Sequence, residues 1–387
     1  MDFEFTEEQE AVRQLADQIF VERSTHERLK EVEQSAGDRG PFDRELWSEL
    51  AKAGLVGIAM GEDTGGAGLD FVAACLVVEA AGRTAAHVPV VEVMAYAAPA
   101  LDHFGSEAQR QEWLPRLASG EAVATAAMAE LVGEVVVDGG TAPTTSASPL
   151  DGGGWRLEGT KACVPAGLIA DLLLVPATVR AGDGRPQGVG VFLVPATAPG
   201  VQRTRQDGPA VPEALMELSG VEVGPGALLG GGDADGAEVV GYIADRAIAA
   251  LCVQEAGVCA SALALTGEYA KTREQFGKPI ATFQAVGQRA ADAYVDTEAI
   301  RLTAWQAAWR LAEGMPATAE LAVAKYWAAE GGQRVVHAAS HIHGGVGVDR
   351  DYPLHRFFLL TEQIEFSLGG ARDSLARLGA VLADVPA

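Results

Sequence analysis

Apolar residues recur every three or four positions over the first 130 residues, as in Val12, Leu15, Ala16 and Ile19, and in Leu46, Leu50 and Ala53. That spacing lays one apolar stripe along a helix, so this part of the chain is predicted to be helical. Breaks fall at DRGPFD (38–43) and at the Gly-rich GEDTGGAGLD (61–70), which feeds an Ala-rich helix over roughly 70–85.

The pattern changes near residue 120. Short β-like runs follow (WRLEGTKACV, ADLLLVPATV, GVGVFLVPA, ALMELSGVEV), parted by loops such as GGTAPTTSASPLDGGG (139–154). From GGGDADG onward the helical period returns. Helices are expected over about 237–275, on to about Gly314, over about 317–342, and from Pro353 to about 383. Four long helices with short joints imply an antiparallel bundle. The expected fold is α+β and mostly α. It has a helical domain (1–120), an antiparallel β domain (121–235) and a C-terminal four-helix bundle (236–387).

The composition, 48% hydrophobic and 21% charged, is that of a globular chain, and the net charge is −24. Such a surface repels phosphate backbones and anionic lipid, which argues against nucleic-acid and membrane-surface roles. An anionic ligand would need a local cluster of Arg and backbone N–H groups. The start, MDFEFTEEQE, has no basic segment followed by an apolar run, and stretches such as 170–179 are short for a bilayer. The reading is a cytoplasmic chain without membrane insertion. Cys75, Cys163, Cys252 and Cys259 form no CxxC pair and read as buried free thiols.

Two stretches carry chemistry. In YAKTREQFGKPIATFQ (269–284), Arg273 ends a helix and offers a planar fork of donors suited to two pyrophosphate oxygens. Gly277 lets the chain turn, and Gln284 opens the next helix, whose free N–H groups favour anions. A helix-end Arg over a core Phe276 is the plainer alternative. In HIHGGVGVDRDYPLHR (341–356), Gly344, Gly345 and Gly347 can expose consecutive N–H groups. No carboxylate or Cys completes a metal set with its histidines, so no metal is expected. A Rossmann GxGxxG and a P-loop are both missing.

Together these stretches resemble the acyl-CoA dehydrogenase family, as do DRELWSELAKAGLVGIAMGEDTGGAGLDF (43–71) and GSEAQRQEWLPRLASGE (105–121). The resemblance implies FAD held between domains and against a neighbouring subunit. Arg273, Gln275, Phe276 and Gln284 would reach the partner's FAD, while His341, Gly344 and Gly345 would line its adenosine-side phosphates. It further implies α,β-desaturation of an acyl-CoA thioester, with a carboxylate taking the α-proton and the β-hydrogen leaving as hydride to the flavin. Electron-transfer flavoprotein would be the acceptor, and the assembly a homo- or heterotetramer.

The chain departs from the family at three places. Met128-Ala129-Glu130 lacks the hydroxyl of the usual Met-Thr-Glu, and LVGEVVVDGG (131–140) offers no Gly-Ser-Asp turn after it. Lys161-Ala162-Cys163-Val164-Pro165 lacks the indole and hydroxyl that pack on the isoalloxazine. At the base, the count from Arg356 lands on Glu365 in EQIEFSLGG (362–370), whereas aligning the glycines places Leu368 there. Glu365 is the candidate base. Another location known in relatives falls on Ala247. Glu255 lies on an apolar stripe with Leu251, Val258, Ala262 and Leu265, either facing a cavity or paired with Arg289 or Arg301.

Three functions are compatible with these features. The first is a dehydrogenase using Glu365. The second is a base-less subunit completing a partner's FAD site, as in bacterial look-alikes acting on steroid side-chain CoA thioesters. The third is a flavin monooxygenase or nitroalkane oxidase on the same fold.

Overall fold

The computed structural model describes residues 5–131, 142–232 and 235–383. Nearly all of residues 131–140, which the resemblance sets against a Gly-Ser-Asp turn, therefore lies outside the described residues. Two compact units emerge. One takes the chain up to residue 31, residues 75–86 and everything from 248 on; the other takes 32–74 and 87–247.

Six helices come first: α1 (Glu7–Arg23), α2 (His26–Ser35), α3 (Arg44–Lys52), α4 (Phe71–Thr84), α5 (Ala98–Phe104) and α6 (Glu107–Ala118). Their starts follow capping chemistry. Thr6 and Ser106 each form a reciprocal capping box with a Gln three residues on, and the Asp43 side chain accepts from Leu46 N–H.

The second unit holds a seven-stranded sheet: β1 (Ala124–Ala126), β2 (Ser146–Pro149), β3 (Trp155–Val164), β4 (Leu172–Arg180), β5 (Pro186–Pro195), β6 (Val201–Gln206) and β7 (Glu213–Val223). The expected antiparallel sheet is in fact mixed. β1 and β2 both run parallel to β4, β1 against Leu172–Leu174 and β2 against Thr178 and Val179, so two short strands share one β4 strand. The remaining pairs are antiparallel, including β4 with β5 and β3 with β7.

The long helices follow: α7 (Gly236–Thr272), a two-residue hairpin of β8 (Glu274–Gln275) and β9 (Lys278–Pro279), then α8 (Gln284–Ala312), α9 (Thr318–Tyr326), α10 (Gly332–His343), α11 (Leu354–Phe366) and α12 (Ala371–Ala383). By length and composition α7 could cross a membrane, but 67% of its apolar window is buried within the protein, as in a core helix.

Two helices expected to be continuous are broken. A wider π turn, Trp327–Gly331, parts α9 from α10. The expected helix from Pro353 to 383 is split at 367–370, where Leu368 (φ 56°) and Gly369 (φ 98°) leave the helical region. The side chain of Ser367 donates to Gln363 O, and Asp373 accepts from Gly370 N–H, so local bonds close one helix and open the next. Of the four cysteines, Cys163 proves exposed and the other three are buried.

Candidate functional site

Arg273 follows the last residue of α7 and donates its N–H to Tyr269 O at 2.8 Å. Glu274 pairs with Pro279 and Gln275 with Lys278, which leaves Phe276 (φ 54°) and Gly277 (φ 76°) as the turn. Two positive φ values in succession define a hairpin turn that glycine enters freely and a bulky residue enters at a cost. The strained Phe276 is 92% exposed. Exposed too are Arg273, Gln275 and Gln284. Phe283 precedes α8 without a side-chain cap, so the first N–H groups of a 29-residue helix have no cap from it. The plainer alternative, a helix-end Arg over a core Phe276, does not hold, since the ring is exposed. Its unit presents Arg273, Gln275, Phe276 and the α8 N-terminus outward, a donor set that fits a pyrophosphate.

The Gly-rich stretch lies in the same unit. α10 ends at His343, Gly344 turns the chain (φ 63°, ψ −138°), and a 3₁₀ segment runs Gly344–Val348. His341, Gly344 and Gly345 are exposed, whereas Gly347 is buried against Ser340 O.

Glu365 occupies the last turn of α11. It is half-buried, and its Oε2 is sealed from solvent with no hydrogen-bond partner among the described residues. Burial first, then the charge of Glu362, raise its carboxyl above the ordinary range, while Lys325 works against them. Directly inward lies a buried polar cluster. Lys325, fully buried on α9, donates through Nζ to Ile364 O (2.6 Å) and Glu365 O (3.0 Å), closing the α11 C-terminus. Glu255, fully buried on α7, accepts at Oε1 from Thr361 Oγ1 (2.8 Å) and Cys259 Sγ (3.0 Å). Its Oε2 has no partner among the described residues. A Cβ at position 332 would collide with this carboxyl, so Gly332, just past the π turn, makes room for it.

The apolar stripe correctly placed Glu255 inside, but its proposed arginine partners are wrong. Arg301 bonds Glu298 on its own helix and Arg289 is exposed. Lys325 and Thr361 escaped the sequence reading. The signal was a lysine inside the apolar run AVAKYWAA.

Burial pushes Glu255 up to about 8 from 4.5. A raised carboxyl adds stability that is present below about pH 4.5 and is lost as pH rises toward 8, because the unfolded chain ionises first. Glu255→Gln should therefore show a flatter stability–pH profile between about pH 5 and 8 than the parent, measured by urea midpoints.

The sheet unit gives a different result. Lys161 is fully buried and its ammonium bonds the carboxylate of Glu130, which also accepts from Thr144 and Thr145 hydroxyls. Cys163, at the position where the resemblance expects an indole, sits in left-handed backbone (φ 48°) within a register shift of β3 against β7. Its N–H donates to Gln206 Oε1 and its thiol pairs with Glu213. Cys163 supplies no flat aromatic platform, and its backbone donor is already used. These residues do not fit an isoalloxazine ring, whereas the hairpin fits the phosphate-bearing part of a dinucleotide.

Models of the acyl-CoA dehydrogenase N-terminal, middle and C-terminal domains match residues 6–121, 135–219 and 234–376. Acyl-CoA dehydrogenase FadE27 of Mycobacterium tuberculosis is 39% identical, with all of both chains covered. Among solved structures, a chain of the ChsE4-ChsE5 complex of Mycobacterium tuberculosis shares 40% identity with TM-score 0.91 over all of both chains. A chain from a variant of the Tcur3481-Tcur3483 steroid ACAD shares 42%, with TM-score 0.87 over 98% of each. With matched domain models along most of its length and a relative this similar from end to end, the chain belongs to the acyl-CoA dehydrogenase family.

Proposed function

We propose that this chain is one subunit of a heteromeric, FAD-dependent acyl-CoA dehydrogenase that desaturates a bulky acyl-CoA thioester, and that it completes a partner chain's flavin site. One contrast carries the reading. The Arg273–Gln284 hairpin is intact and turned outward, with Phe276 92% exposed, while position 163 offers no ring platform for a flavin of the chain's own. Its tasks are to bind the flavin's phosphates through Arg273 and the α8 N-terminus, and to cover the adenosine side with Gly344 and Gly345. FAD supplies the oxidising chemistry when bound. The similar steroid ACAD and ChsE4-ChsE5 assemblies support a two-chain arrangement and a large acyl group. Electron-transfer flavoprotein remains the proposed acceptor.

A second reading is favoured by Glu365, whose sealed Oε2 and raised carboxyl suit a general base. Glu365→Gln separates the two. With the partner co-expressed, anaerobic bleaching of the flavin by acyl-CoA thioesters should proceed at the parent rate within about twofold. A loss of about a hundredfold or more, in line with removal of a general base, would make Glu365 the base and sink the first reading.

A further inference from the structure

His343 has no part in phosphate binding as described, yet it is 3% exposed at the junction of the two outward-facing segments. Its Nδ1 lies 2.8 Å from Ala339 O, a pure acceptor, so Nδ1 carries the proton and Nε2 is a bare acceptor. Tyr352 Oη, 3.1 Å away, then donates to Nε2. The imidazole stacks on Tyr269 at 4.3 Å between centroids and 24° between planes, and Tyr269 Oη donates to His343 O at 3.4 Å. Tyr269 stands one turn before Arg273 and its carbonyl accepts the Arg273 N–H. Tyr352 N–H in turn donates to Asp349 O, just after the Gly-rich segment.

We propose that His343 is a positioning residue, gripped between Tyr269 and Tyr352, that holds the Arg273 hairpin and the Gly344–Val348 segment at one fixed spacing. That spacing must match a ligand with a phosphate at one end and a nucleoside at the other. Further bonds pin the same segment from outside. Lys30 Nζ reaches Asp351 Oδ1 (2.5 Å), and His26 bridges Asp351 O (3.0 Å) and Arg356 Nη1 (2.8 Å). Burial lowers the His343 pKa and so keeps the ring neutral, as the Tyr352 bond requires.

The inference rests on the hairpin's proposed role in FAD binding, so Arg273→Ala is the control. In the assembly with its partner chain, FAD affinity is titrated for Tyr352→Phe, His343→Phe and Arg273→Ala. Tyr352→Phe removes one hydroxyl and keeps the ring, so the fold is retained. We expect FAD to bind about fivefold to tenfold more weakly in Tyr352→Phe and more weakly still in His343→Phe. At saturating FAD the turnover should match the parent, a split that a merely structural role would not produce. If Arg273→Ala loses FAD while both ring variants bind within twofold of the parent, the positioning role is overturned. If all three retain FAD, the hairpin reading falls and the positioning role with it.

Discussion

Lys325→Ala is expected to destabilise the protein by about 3–5 kcal/mol, the range for breaking a buried charged contact by removing one partner. The ammonium is fully buried and donates to two carbonyls at the end of α11. Burial pushes it down to about 8, while Cys252, Glu255 and Glu365 pull it back up. Alanine would remove the ammonium from which both carbonyls accept, leaving Ile364 O with a 3.3 Å bond from Ser367 N–H. Each loss costs about 1–3 kcal/mol for a buried polar group. A double-mutant cycle with Glu255→Gln tests the coupling. Because burial keeps the Glu255 carboxyl largely protonated below about pH 8, the two changes should be close to additive near neutral pH. Chemical denaturation reads both. A loss below about 1 kcal/mol would mean that the carbonyls find water instead, and that α11 does not depend on the ammonium.

Arg273→Ala should abolish flavin retention. A guanidinium on a pyrophosphate makes charge-assisted bonds worth about 1.5–3 kcal/mol each, so losing two weakens FAD by a factor on the order of a hundred or more. Arg273→Lys should recover only a fraction, because an ammonium cannot present two parallel donors. The side chain is exposed at the end of a helix, so stability should hardly move. Flavin absorbance after gel filtration of the co-expressed assembly measures the effect.

Much of the helical frame was legible because its apolar period is long and regular. α7 and α8 begin and end close to where Gly277, Pro279 and Gly314 placed them. The turn could be read because Gly277 stands between two helical patterns, whereas its closure by two paired residues on each side could not. What Phe276 does there could not be, since an aromatic residue in the sequence looks the same whether packed or presented.

The parallel pairing of β1 and β2 with β4 depends on contacts about 30–50 residues apart, which local alternation does not encode. The break at 367–370 was half-visible in Gly369-Gly370, but the stripe of α11 runs on through Leu368 until its positive φ is known. Glu255 showed itself by standing on an apolar stripe. Its true neighbours, Thr361 and Lys325, come from helices distant in sequence. A lysine in AVAKYWAA is ordinarily a solvated charge, and only three-dimensional packing turns it inward. Cys163 went wrong in the opposite sense. Free thiols are usually buried, but this one lies in left-handed backbone within a register shift of β3 against β7 and is exposed.

As proposed, this chain completes a flavin site without housing the flavin ring itself. Counting flavin per chain in the purified assembly tests it most directly, by absorbance against quantified amounts of each polypeptide. One flavin is expected for each pair of unlike chains, with a colourless protein when this chain is purified alone. One flavin on every copy of this chain, bleached by an acyl-CoA thioester with no second chain present, would contradict it.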